Sequence, residues 1–269
     1  MKRYWVLVLV LFFAGMVEAQ DLLPTAHKIA QPGELLTYKV TYGFLTVGEA
    51  KITTNETLYN VDNTPCYKID IIGKTTGAVG WVAKVDDKWG AYLNTTDLLP
   101  VKSYRIVREN NYKRDELAYY NHKKKTIKYQ RYNHKTSKFE SPELFSFTNT
   151  VRDLIGGYYF LRQIDYNNMV VGDTIHLQGF FENEFYNFDI IYKGKENLKT
   201  QFGKIGAIKL VPVMPNNKVF DGENSITLWL SDDENRIPLK AEANMFIGKA
   251  GCDIISYENL KNKMVFAGK

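Results

Sequence analysis

Cysteine and histidine are scarce, and the familiar catalytic templates are missing. Two cysteines among 269 residues, Cys66 and Cys252, rule out a disulfide-dense scaffold. The four histidines, His27, His122, His134 and His176, lie far apart and never at a metal-ligand spacing such as His-x-x-x-His. There is no Gly-x-Ser-x-Gly elbow, no Walker-type glycine loop and no dinucleotide fingerprint. Sequence spacing therefore assigns no catalytic residue, no metal ligands and no cofactor. Long linkers, low-complexity tracts and internal repeats are also absent.

One long apolar run is present, at the N-terminus. Lys2 and Arg3 precede an apolar stretch from Tyr4 to Gly15, and Val17-Glu18-Ala19 places small residues where signal peptidase needs them. This predicts a signal peptide over residues 1–19, cleaved before Gln20, with export to the periplasm or cell envelope or secretion beyond it. The run is shorter than the roughly 20 residues of a comfortable membrane span. No Cys follows the cut, which argues against lipid attachment, and no later run approaches a transmembrane segment. In an oxidising compartment Cys66 and Cys252 can pair, closing a loop of nearly the whole domain worth about 4–5 kcal/mol in the chain-entropy model. Spacing alone does not bring them within bonding distance.

Residues 20–269 are expected to form one mainly-β domain, with 133–149 as the place for any division into N-terminal and C-terminal units. Aromatic residues make up 14% of the chain, which favours strands. Period-2 alternation marks thirteen segments. They begin with a hairpin, Leu35 to Tyr42 and Thr46 to Thr54, and end with Cys252 to Leu260. Their short connections predict an antiparallel sheet curved into an open barrel, with one or two short helices. The stronger helix has Thr150 as N-cap, Asp153 as the acidic arm of a capping box, and Val151, Leu154, Ile155, Tyr158 and Leu161 at helical spacing. Gly156-Gly157 weakens it by about 1 kcal/mol per glycine, which close packing on a sheet would explain. A weaker helical stretch covers Gly77 to Ala83.

Charge is unevenly placed. Between Val101 and Glu140 twelve Lys/Arg stand against four Asp/Glu, while the whole chain carries a net +5. The basic 113–138 hairpin interleaves tyrosines with lysine and arginine, a pattern that suits nucleic acid in a cytosolic protein. Export turns that expectation towards polyanionic glycans, lipid head groups or an envelope protein, and away from nucleic acid. The plainer reading is a hairpin whose lysines keep its edge soluble. Asp232-Asp233-Glu234 lacks the rest of a calcium loop and reads as a solvated turn. Arg162 projects from the apolar stripe of the predicted helix, so it must pair with an acid, snorkel to solvent or face a ligand.

Several stretches together resemble a family of exported bacterial proteins, domain of unknown function family 3108. They are Gly33-Glu34-Leu-Leu-Thr-Tyr38 with Val47-Gly48-Glu-Ala, then Val85-Asp-Asp-Lys-Trp89 and Asp153-Leu-Ile-Gly-Gly-Tyr-Tyr-Phe-Leu-Arg162. Leu228-Trp229-Leu-Ser-Asp-Asp-Glu-Asn235-Arg236-Ile-Pro238 completes the set. The resemblance implies no activity and no catalytic residues. A looser similarity, in the late hairpin, is to periplasmic lipoprotein carriers of the LolA type, which implies an open barrel with an apolar cavity. The leading expectation is non-enzymatic binding of a lipid or glycolipid, with Trp81, Trp89, Tyr158, Arg162 and Trp229 as candidate lining residues. A structural or interaction module is the alternative. A hydrolase of envelope glycans or lipids is the third.

Overall fold

Residues 29–213 and 225–268 are described by a computed structural model. The predicted signal peptide and its cleavage site lie outside the described residues. The strands are β1 (Leu35–Tyr42), β2 (Leu45–Thr54), β3 (Tyr59–Val61), β4 (Thr64–Thr75), β5 (Asp86–Asn94) and β6 (Pro100–Glu109). Then come β7 (Tyr112–Asn121), β8 (Thr126–Asn133), β9 (Lys138–Phe139), β10 (Glu143–Ser146), β11 (Val151–Arg152) and β12 (Thr174–Phe181). The last five are β13 (Glu184–Thr200), β14 (Gly203–Pro212), β15 (Ile226–Ser231), β16 (Pro238–Asn244) and β17 (Lys249–Glu258). Two helices, α1 (Val79–Val82) and α2 (Leu154–Gln163), interrupt them.

Neighbouring strands in sequence mostly pair antiparallel through short turns, as period-2 patterning demands. One ladder runs from β12 through β13, β14, β15, β16 and β17. From β17 it continues to β1, then to β2 and β4. It ends through β5, β6, β7 and β8 at β10. The sheet is mainly antiparallel, strongly curved and not closed, an open barrel. Its two ends meet through side chains: Phe145 and Tyr129 approach Phe180 at centroid distances of 5.0 and 6.1 Å. Beside them Arg105 on β6 pairs with Glu182 after β12 at 2.5 Å.

The four strands without a counterpart in the periodicity are β3, β9, β10 and β11, each two to four residues long. Such segments are too short to display alternation, and neighbours with free backbone groups impose them. Segment 133–149 illustrates this, because β10 pairs back onto β8 from Glu143↔Tyr129 to Ser146↔Thr126.

Helix α2 begins three residues later than the capping box predicts. Val151 and Arg152 are drawn into a short parallel ladder with β12, opposite Gln178 and Gly179. Asp153 is itself the N-cap, extended at φ −83° and ψ 178°, and its carboxylate accepts the Gly156 N–H at 2.9 Å. The helix lies within the curve of the sheet. Leu161 packs with Ile190, Leu210, Leu228 and Leu230 on one side. Ile155 and Tyr159 pack with Ile69, Ala91 and Leu93 on the other. Cys66 and Cys252 are both free and buried, on β4 and β17. The pairing considered from sequence does not form, because the two strands are separated in the ladder by β1 and β2.

Candidate functional site

Strands β16 and β17 explain where the interior is left unfilled. Lys240 and Glu242 alternate with Ala241 and Ala243, and the charged pair is joined outside the wall at 2.8 Å. Opposite Ala241 and Ala243 stand Cys252 and Ala250, so adjacent strands present small side chains together. Ala50 on β2 extends this wall. Across from it, α2 offers Leu154, Tyr158 and Leu161, and the gap between is a partly open cavity of about 110 Å³. Leu228 on β15, Ile52 on β2, Ile71 on β4 and Trp89 on β5 complete an almost wholly apolar lining. Lys240 and Glu242 border this space as strand residues only, since their charged groups meet on the outer face, where the Glu242 carboxylate is held by Lys240 and Lys249 at 2.8 and 2.7 Å.

Cys252 is the one thiol in the lining, and burial pushes it up to about 12, so it stays protonated and poorly nucleophilic. Tyr38 closes one side of the cavity and donates its hydroxyl to the Pro238 carbonyl at 3.0 Å. A walled, mostly apolar space with few polar groups can take up hydrocarbon and offers little for bond-making chemistry.

Of the five residues named from sequence, Trp89 and Tyr158 border this cavity. Arg162 lies behind Tyr158, 1% exposed, and reaches no cavity wall. Its Nη1 and Nη2 donate to the two Glu34 oxygens at 2.7 and 2.8 Å, and Nε and Nη2 donate to the Asn235 carbonyl at 3.1 and 2.9 Å. Nη1 also donates to the Tyr158 hydroxyl at 3.1 Å. The guanidinium is thus spent on structure, the acid-paired option among those open from sequence. Asn235 extends the cluster, since its side chain exchanges two hydrogen bonds of 2.9 Å with the Asn262 backbone. Glu34, Arg162 and Asn235 come from three of the separated stretches quoted above, and here they meet in one buried knot.

The remaining two tryptophans lie elsewhere. Trp81 on α1 is 92% exposed. Trp229 points to the face of β15 opposite Leu228, where its indole N–H donates to Glu196 at 2.5 Å and Lys209 and Lys240 flank the ring. Asp232-Asp233-Glu234 forms the β15–β16 turn, with Asp233 accepting from Ser231 Oγ at 2.7 Å and the Asn235 N–H at 2.9 Å. Missed by the sequence reading were Tyr38 and the small-residue wall. The legible signal was alternation of small with charged residues in Lys240-Ala-Glu-Ala243, an inward face with too little volume to fill a core.

A smaller space beyond Trp89 is lined mainly by apolar and aromatic side chains, with Arg105, Glu116 and Asp153 among its few polar groups. Trp89 and Phe181 stack at a centroid distance of 5.3 Å, and Arg105 lies against both rings, 4.9 and 4.8 Å from their centroids, while donating through Nε to Glu116 at 2.7 Å. Burial raises the Asp153 carboxyl to about 7, partly opposed by the backbone N–H groups it accepts. In the basic hairpin, Arg108 pairs with Asp115 and Arg131 with Glu140, while Lys113, Lys124, Lys128, Lys135 and Lys138 are exposed. Among the described residues no helix is long and apolar enough to cross a membrane.

The chain belongs to the family described as protein of unknown function (DUF3108), whose model matches residues 37–254. No curated protein matches it. Among solved structures it is similar to a beta-barrel-like protein of domain of unknown function DUF1849 from Brucella abortus. That similarity has 7% identity and a TM-score of 0.55, covering 86% of this chain and 99% of the other. A protein with a YmcC-like fold from Bacteroides fragilis NCTC 9343 aligns at 9% identity and a TM-score of 0.30, over 85% and 96% of the respective chains. The first of these likenesses concerns the barrel-like fold alone.

Proposed function

We propose that the protein is exported and binds one lipid or glycolipid, without turning it over, in the cavity between α2 and the β16–β17 wall. The observation that carries this reading is the combination of an apolar lining with a wall of alanines and one buried thiol. A core assembled only for stability is filled to near-crystalline density; here small residues recur at four adjacent inward positions. Tyr38, Trp89 and Tyr158 supply the lining with aromatic faces and, in the tyrosines, a polar tip. Such apolar walls admit the end of a hydrocarbon chain, the rest of which would extend through the open mouth.

The test is to recover the processed protein from its native envelope and identify co-purifying lipids by mass spectrometry. Titration of the delipidated protein with the fluorescent fatty acid cis-parinaric acid should then give saturable binding. Ala241→Trp, which places an indole in the cavity, should abolish that binding while leaving the fold intact by circular dichroism. Absence of lipid in the preparation together with no parinaric acid binding sinks the proposal.

A further inference from the structure

Five large apolar side chains stand in solvent at one rim of the sheet. Phe44 and Leu45 tip the β1–β2 hairpin, Phe246 and Ile247 tip the β16–β17 hairpin, and Trp81 sits on α1 just after β4. Phe44 is 94% exposed, Trp81 92% and Ile247 80%, so none of the three contributes to the core. The three turns are neighbours. Gly43 N–H donates to the Lys249 carbonyl at 2.7 Å, the Tyr42 hydroxyl donates to the Ile247 carbonyl, and Thr76 N–H donates to Val47 at 3.1 Å. An apolar fringe assembled from three separate turns is a surface feature that marks a contact.

Charge flanks this fringe. Lys84, beside α1, is tied to the β6–β7 turn, its N–H donating to Asn110 Oδ1 at 2.9 Å and its carbonyl accepting from the Asn110 N–H at 2.8 Å. The same end of β7, β8 and β9 exposes Lys113, Lys135 and Lys138. The fringe is also continuous with the cavity, because Ala243 and Ala250 line it and lead directly into the turn carrying Phe246 and Ile247.

We infer that this rim docks on a lipid bilayer bearing anionic head groups, from which the cavity takes up its occupant. The inference rests on the cavity reading above and adds a partner to it. The fringe consists of separate projecting tips, which wedge between head groups and need no matching pockets, whereas a protein partner would have to supply one for each. Aromatic and aliphatic tips beside lysines are the combination that holds proteins at anionic lipid interfaces.

Flotation of the processed protein with phosphatidylcholine vesicles, with and without added phosphatidylglycerol, tests this. The wild type should float with both and more strongly with phosphatidylglycerol, with Trp81 emission shifting to the blue. Phe44→Ser/Trp81→Ser/Ile247→Ser should lower partitioning by about a hundredfold while keeping parinaric acid binding. Lys84→Glu/Lys135→Glu should erase only the preference for phosphatidylglycerol, about fivefold per lysine. No flotation of the wild type, or equal flotation of the triple variant, overturns the inference. So does a wild-type dimer in sedimentation velocity that the triple variant makes monomeric, since the tips would then serve a second copy. Flotation without parinaric acid binding overturns the cavity reading and leaves the docking surface standing.

Discussion

Two side chains show how burial decides the role of a charge. Arg162 has all its donors engaged by Glu34, Asn235 and Tyr158, so it is both buried and satisfied. Removing one partner of such a pair strands the other, at a cost of about 3–5 kcal/mol, whereas replacing both can be nearly neutral. Arg162→Met should therefore lower urea-denaturation stability by that amount, and Glu34→Leu/Arg162→Met should recover most of it. Asp153 presents the opposite case, a carboxyl whose folded value of about 7 lies above the ordinary 3.8 because burial disfavours its charge. Between pH 4 and 7 the native state keeps a proton that the unfolded chain has lost. Stability should then fall as pH rises through that window, by an amount on the order of 4 kcal/mol, and level off above pH 7. Asp153→Asn, which retains a cap oxygen and cannot titrate, should flatten the slope in urea melts collected across that range.

At the scale of elements, α2 shows what periodicity can and cannot reveal. The apolar spacing of Leu154, Ile155, Tyr158 and Leu161 marks the helix correctly, but its start is decided by β12, a partner brought from twenty-odd residues downstream. No local signal separates a capping box at Thr150 from a cap at Asp153 preceded by a strand. Gly156, costly in an isolated helix, is required here. A Cβ at that position would lie 2.9 Å from Asp153 Oδ1 and 3.4 Å from Pro100 Cδ on β6. Gly156→Ala should thus destabilise by about 1 kcal/mol by displacing the cap, despite the higher helix propensity of alanine, and a thermal melt reads the sign. Most of the thirteen longer strands were legible because one face lies in the curve of the sheet and the other is more open to solvent, whereas β15, buried on both faces, reads as a short apolar run. Of the site, Trp89 and Tyr158 were legible as large aromatics in patterned segments. The small-residue wall was obscured because an alanine at one inward position carries no signal until its cross-strand neighbour is known.

For the whole molecule, the open seam replaces hydrogen-bonded closure with packing. Phe180 touches Tyr129 and Phe145 across it, and Phe185 on the neighbouring strand β13 backs the contact. Phe180→Ala should cost about 3–5 kcal/mol and speed amide exchange in β8 and β10 more than in β16 and β17, which hydrogen-exchange mass spectrometry resolves. The thiols report on the same integrity. Burial pushes Cys66 up to about 11 and Cys252 up to about 12. A thiol reagent should therefore find neither in the native protein and both after denaturation.

The order of the ladder has a consequence in time. β1 is held between β2 and β17, so the first described strand completes its pairing only when the last has been made. Glu34, Arg162, Asn235 and Asn262 must likewise converge before any of them is satisfied. Contacts of such long sequence separation make folding slow, on the order of milliseconds to seconds. Until Lys249–Glu258 is in place, β1 exposes an unpaired edge that another chain could occupy. A chain interrupted before β17 should accumulate as aggregate, and the intact chain should acquire its tertiary structure in one late step.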